Sequence, residues 1–249
     1  MSELDSSHKI NTFQWFYHVA SSCGFGLHTF SIPTVIKIRN FSDCKDKLRC
    51  RIYFISYPST SFQSGTKPTL LFADVDQQNS SDDQVMWYPL LPSEFFDHKN
   101  SLALADFLIH ERMRVSVSGV TNYCLSDCGK LIICASSEIY NTVDNTSFGE
   151  QPNYLEPIKA PLTNVIQPIM CSLNSDFIVC LSNDNIFIGY IPTNTWIPIT
   201  HYQSNSGLSA GIPSFVIQEE FDRYIGYWWR PTLTNESLFI LAYKLVKCV

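Results

Sequence analysis

The chain has 249 residues, of which 45% are hydrophobic, 14% aromatic and 16% charged, with a formal net charge of −6. A charged share below the ~25% of an ordinary domain, together with so many aromatic side chains, supports a packed core and excludes a disordered chain. The acidic balance and the lack of any long basic run exclude a nucleic-acid-binding face, whose footprint is a basic patch.

At the N-terminus, Met1 to Ile10 lacks the basic start and apolar run of a secretory signal. Residues 1–45 carry no assignable element. Arg51–Ser56 and Thr69–Ala73 read as strands joined by a Ser/Pro/Gly-rich loop, and Gln77 to Gln84 as an exposed polar tip. Residues 101–114 are rich in helix formers, with Asn100 or Ser101 as cap and basic residues in the last turn, and predict a helix of about three turns. From residue 123 onward, short strands alternate with tight turns: Lys130–Ala135, Glu138–Asn141, Phe177–Leu181, Ile186–Ile191, Trp196–Thr200, Arg223–Trp229 and Ser237–Leu245. Asp127, Asp176 and Asp222 precede three of these runs, 49 and 46 residues apart. Such a period of short strands suits the four-stranded blade of a β-propeller, with a β-sandwich of accidental spacing as the alternative. The fold class expected is therefore all-β, a partial propeller over residues 46–249 with one helix near 101–114.

No apolar stretch is long enough to span a bilayer; Leu238–Tyr243 and Lys130–Ala135 are among the longest. No membrane partner is expected, and the location expected is cytoplasmic. The nine cysteines are an odd number without a CxxC pair, which points to reduced, mostly buried thiols. Cys124 and Cys128 stand near ligand spacing, but no second Cys/His pair accompanies them, so neither a metal nor another cofactor is expected.

Two motifs could carry chemistry. Gly207-Leu-Ser-Ala-Gly211 matches the nucleophile-elbow pattern around Ser209. An elbow needs a buried strand before the serine, a helix after it, and then Asp and His in chain order. Here a polar loop precedes Ser209, residues 212–217 read as a strand, and all six histidines lie upstream. Gln218-Glu-Glu-Phe-Asp-Arg223 is the second motif. Two adjacent carboxylates raise each other's pKa if buried and suit a metal or an ammonium group, provided the backbone bends to bring them together. A solvated acidic turn, partly neutralised by Arg223, is the competing reading.

The stretch from Ser209 through Gln218-Glu-Glu-Phe-Asp-Arg223 and Gly226-Tyr-Trp-Trp229 to Pro231 closely resembles the hallmark of the dipeptidyl peptidase IV family, in particular its cytosolic dipeptidyl peptidase 8 and 9 branch. Leu108-Ile-His-Glu-Arg-Met-Arg114, Arg51-Ile-Tyr-Phe54, Tyr88-Pro-Leu-Leu91 and Asp176 to Tyr190 extend the resemblance over roughly residues 50–245. The resemblance implies an eight-bladed propeller followed by an α/β-hydrolase domain with a Ser-Asp-His triad, and a homodimer in the complete enzyme. It implies that Glu219 and Glu220 bind the free α-ammonium of a peptide N-terminus and that Arg114 holds a backbone carbonyl. The complete enzyme would release dipeptides with Pro or Ala in the penultimate position. No triad residue maps onto this chain, so an inactive recognition portion is expected, with a stand-alone peptide- or protein-binding propeller as the other reading.

Overall fold

The computed structural model describes residues 34–42, 48–57, 67–76, 87–92, 95, 104–113, 118–150, 154–172, 174–203, 206, 208–229, 240–242 and 244–246. The chain divides into two compact units, Met1–Leu90 with Thr146–Tyr154, and Leu91–Asn145 with Leu155–Val249. The expectation of an all-β propeller-type fold holds. Among the described residues, three four-stranded antiparallel sheets, each running in chain order, have the build of propeller blades.

In the first unit, β1 (Thr34–Ser42), β2 (Leu48–Ser56), β3 (Thr69–Asp76) and β4 (Trp87–Pro89) form one such meander. β1 lies ahead of the first strand read from the sequence. It alternates half-buried Val35, Lys37 and Arg39 with exposed Ile36, Ile38 and Asn40, an inverted polarity that hides an edge strand from pattern reading. β2 and β3 are covered on both faces, and Tyr53, Leu70, Leu71 and Phe72 are fully buried. Arg51 is buried among them with 0% exposure. Its guanidinium forks onto Asp74 (Nε to Oδ1 2.6 Å, Nη2 to Oδ2 2.7 Å) and donates to the carbonyls of Thr146 and Ser147. Asp74 Oδ2 also accepts the Gly149 amide at 2.6 Å, so this pair ties residues 146–149 to the sheet.

The second unit holds two meanders. One is β5 (Val120–Leu125), β6 (Lys130–Ala135), β7 (Glu138–Val143) and β8 (Ile158–Lys159). The other is β9 (Val165–Met170), β10 (Phe177–Ser182), β11 (Asn185–Tyr190) and β12 (Thr195–Pro198). Their central hairpins share one design: two-residue turns at Ser136-Ser137 and Asn183-Asp184, with positive φ at both positions (51° and 58°, 47° and 67°). That is the backbone a tight hairpin of right-twisted strands demands, and after glycine Asn and Asp tolerate it best. The 49-residue period is thus real for Asp127 and Asp176, which each sit at the turn between the first and second strands of a meander. Asp222 departs from the pattern, because it caps a helix instead.

Alternation within β10 explains why its run is apolar throughout. Ile178 and Cys180 face a core shared with Cys124, Ile132, Cys134, Ile139 and Val165. Val179 and Leu181 face a second core with Ile109, Ile166, Ile186, Ala210 and Tyr227. Burying each such side chain contributes roughly 1.5–3 kcal/mol. The second core recruits a helix and two short strand pairs outside the meanders. α1 (Leu104–Met113) enters through Ile109, and two short pairs, β13 (Leu208–Ala210) with β16 (Lys244–Val246) and β14 (Tyr227–Trp229) with β15 (Ile240–Ala242), enter through Ala210 and Tyr227. Between β13 and β14 the chain makes a 16-residue excursion that contains α2 (Phe215–Phe221).

Candidate functional site

The excursion is held at a narrow neck. Gly226 N–H donates to the Gly211 carbonyl at 2.9 Å. A Cβ on Gly226 would lie 2.8 Å from that carbonyl oxygen, and one on Gly211 (φ +74°) would lie 2.6 Å from the Tyr227 ring. Only glycine allows the two backbones to approach this closely. Below the neck, Tyr227 donates its hydroxyl to the Gln167 carbonyl at 2.5 Å, and Trp229 Nε1 donates to the Ile169 carbonyl at 2.9 Å. These two aromatics of the Gly-Tyr-Trp-Trp motif therefore bolt β14 to β9. Burial holds the Tyr227 phenol well above its ordinary pKa, so it stays a donor.

Sequence pattern assigned residues 212–217 to a strand, and this is corrected. Residues 211–214 are extended or turning, and Phe215 begins a helix of seven residues. Ser214 supplies an extended N-cap backbone, and Asp222 ends the helix in the left-handed conformation (φ 48°), its N–H bonded to the Ile217 carbonyl. The bend that paired carboxylates need is therefore a helix. Glu219 and Glu220 stand about 100° apart on its surface rather than on opposite faces of a strand. Both are exposed. Among the described residues Glu220 forms no ion pair or side-chain hydrogen bond.

The arginine beside them is Arg112 of α1. Its Nε lies 3.6 Å from Glu219 Oε1, its Nη1 donates to Gln218 Oε1 at 2.5 Å, and its guanidinium covers the Phe215 ring at 4.9 Å. Gln218 is the one buried residue of α2, and its amide donates to the Pro213 carbonyl at 2.7 Å. Tyr224 completes the cluster. Its phenol is raised above the ordinary value first by desolvation and then by the charges of Asp222 and Glu219, with Arg112 opposing. The cluster thus offers two outward carboxylates, one cation held to the side, and exposed Phe215, Val216 and Phe221 around them. Such an arrangement can bind a small cation flanked by apolar groups.

Arg114, the other residue singled out from the sequence, lies outside the described residues. Arg112 was readable in principle, because it stands three positions after buried Ile109 and so shares its face of α1. Arg223 does not neutralise the acidic turn: it stacks over Trp228 at 5.8 Å and forms no ion pair among the described residues. Ser209 lies within β13, opposite Leu245, and is 2% exposed, so no sharp turn presents its hydroxyl. Cys124 is buried with its thiol on the Pro168 carbonyl at 3.3 Å, whereas Cys128 is exposed in the β5–β6 turn beside Ser126. The two do not converge, and among the described residues no group of three or more His, Cys, Asp or Glu could hold a metal. All six described cysteines are free thiols, five of them buried. No described helix is long and apolar enough to cross a membrane.

Residues 130–243 match the family model of the dipeptidyl peptidase IV N-terminal region. Over 196 residues the chain is 27% identical to dipeptidyl peptidase 8 of Homo sapiens and, over the same length, 26% identical to that of Mus musculus. These alignments cover 73% of this chain and 21% of each relative, so the chain spans about a fifth of the length of the curated relatives it matches.

Proposed function

From this kinship with the dipeptidyl peptidase IV family, on its dipeptidyl peptidase 8 branch, we propose that the chain is the substrate-recognition portion of a cytoplasmic serine exopeptidase that removes dipeptides from free peptide N-termini. One observation carries the reading: two adjacent, outward carboxylates, Glu219 and Glu220, stand on the short helix between β13 and β14, with a guanidinium alongside. An α-ammonium has three donors and matches two carboxylates, and the pair is costly to desolvate without it. Chains whose N-terminus is blocked or distant are rejected for that reason. Arg114 is the arginine assigned to the first peptide carbonyl, which a planar guanidinium holds in register. The reading gives this chain no catalytic residue, and the complete enzyme would act as a homodimer.

The test is a calorimetric titration of the full chain with the tripeptide alanyl-prolyl-alanine and its N-acetylated twin. The free amine is expected to bind at least about tenfold tighter, and Glu219→Gln or Glu220→Gln to abolish the preference. Equal binding of the two peptides would overturn the proposal. In parallel, the chain alone should release no chromophore from an alanyl-prolyl substrate. Release that Ser209→Ala abolishes would restore Ser209 as a nucleophile and defeat the assignment.

A further inference from the structure

The ammonium site contains a residue that its charge logic does not require. Gln218 precedes the two glutamates, yet it is 2% exposed and faces inward. Both ends of its amide are engaged: Nε2 donates to the Pro213 carbonyl at 2.7 Å, and Oε1 accepts Arg112 Nη1 at 2.5 Å. The first bond fixes the amide's orientation from within its own excursion, and the second reaches across to α1. A guanidinium left to itself forks onto a carboxylate with two short bonds, as Arg51 does onto Asp74 at 2.6 and 2.7 Å. Arg112 does not. Its nearest approach to Glu219 is from Nε at 3.6 Å, beyond hydrogen-bond length. Phe215 under the guanidinium and Gln218 at its tip hold the fork in this turned position.

We propose that Gln218 is a positioning residue that holds the Arg112 fork away from Glu219, so that the Glu219 carboxylate remains available to an incoming ammonium. The inference rests on the ammonium-recognition reading above. A neutral amide is the suitable holder. A third carboxylate at this position would bind Arg112 more tightly but add negative charge beside Glu219, Glu220 and Asp222. An apolar side chain would leave Arg112 free to close the site from within. Gln218 thus sets how strongly the protein's own cation competes with the substrate's.

The test uses the full chain and two readouts. The first is the carbon NMR resonance of the Glu219 carboxylate at fixed neutral pH, with Arg112, Glu220, Asp222 and Tyr224 as its charged and titratable neighbours. In Gln218→Leu the freed fork should pair with Glu219, so the carboxylate resonance moves away from its wild-type position. The second is affinity for alanyl-prolyl-alanine, which should fall about tenfold in Gln218→Leu, the size of one hydrogen bond to a charged group, while the acetylated peptide is unaffected. Because Gln218 acts through Arg112, the substitution should cost no further affinity in an Arg112→Ala background. An equal loss in that background, or an unmoved Glu219 resonance, would overturn the proposal. If the wild type binds both peptides equally, the ammonium reading fails, and the Glu219 resonance still decides what Gln218 does. Should Gln218→Leu not fold, Arg112→Lys replaces it. A single ammonium cannot hold Gln218 and stand off Glu219 at once, so the same two shifts are expected, and wild-type behaviour would overturn the idea.

Discussion

Arg51 in the first unit and Arg112 in the second each stack on a phenylalanine and face a carboxylate. Arg51 covers Phe72 at 4.5 Å and Arg112 covers Phe215 at 4.9 Å. From there they diverge. Arg51 is fully buried, forks onto Asp74 with two short bonds and donates its remaining bonds to backbone carbonyls, so it has nothing to offer a ligand. Arg112 is part-exposed, gives its best bond to a neutral amide, and meets its carboxylate at 3.6 Å. A buried, bidentate pair is a fastening, because removing either partner strands a charge out of water. An exposed, single contact stabilises by no more than about 1 kcal/mol and is easily exchanged for another partner. The same side chain is a structural tie in one sheet and a movable neighbour of the exposed Glu219 carboxylate beside another.

Arg51→Ala should have the largest effect, since it leaves Asp74 uncompensated and releases residues 146–149. A loss of about 3–5 kcal/mol in urea denaturation, or failure to fold, is expected. A loss below about 1 kcal/mol would show that the pair is no fastening. The same sheet supplies a pH signature. Burial, helped by the Asp74 charge, pushes the Cys50 thiol from 9.0 up to about 11. Between those values the unfolded chain has released the proton and the folded chain has kept it, so stability is intact below pH 9 and falls as pH rises to about 11. The fall is at most about 3 kcal/mol, and Cys50→Ala should flatten the curve by that amount relative to wild type. Gly211→Ala, at the neck that carries α2, forces a Cβ into the Tyr227 ring at positive φ and should cost about 1–3 kcal/mol by the same denaturation assay. Tyr227→Phe, which removes the hydroxyl bond to Gln167, should cost about 1 kcal/mol. Arg112→Ala comes last for stability, within about 1 kcal/mol of wild type. A destabilisation as large as that of Arg51→Ala would erase the distinction between the two arginines.

Particular residues show how far the chain could be read in advance. Lys130–Ala135 was delimited correctly because both faces of β6 are buried, which makes a continuous apolar run bounded by turn residues. The helix read over 101–114 appears as Leu104–Met113, since helix formers and basic residues in the last turn act locally. β9 escaped notice because Pro168 sits within it, and the strand accommodates the proline with an irregular register and a positive φ at Gln167. α2 was read as a strand because Phe215, Val216 and Ile217 favour one. Its helical form depends on the Gly211–Gly226 neck and on burial of the Gln218 amide, neither of which is local.

Composition, turn chemistry and apolar alternation were enough to establish an all-β chain of short antiparallel strands, because hairpins and buried strands follow from near neighbours. The Glu219-Glu220 pair was also visible, as a motif. Which arginine accompanies it, what restrains that arginine and why the glutamates share one exposed surface were settled by contacts across 106 residues of sequence, from Arg112 to Gln218. A single side chain's partners at that separation depend on how two helices are packed onto one core, and no local pattern encodes that packing.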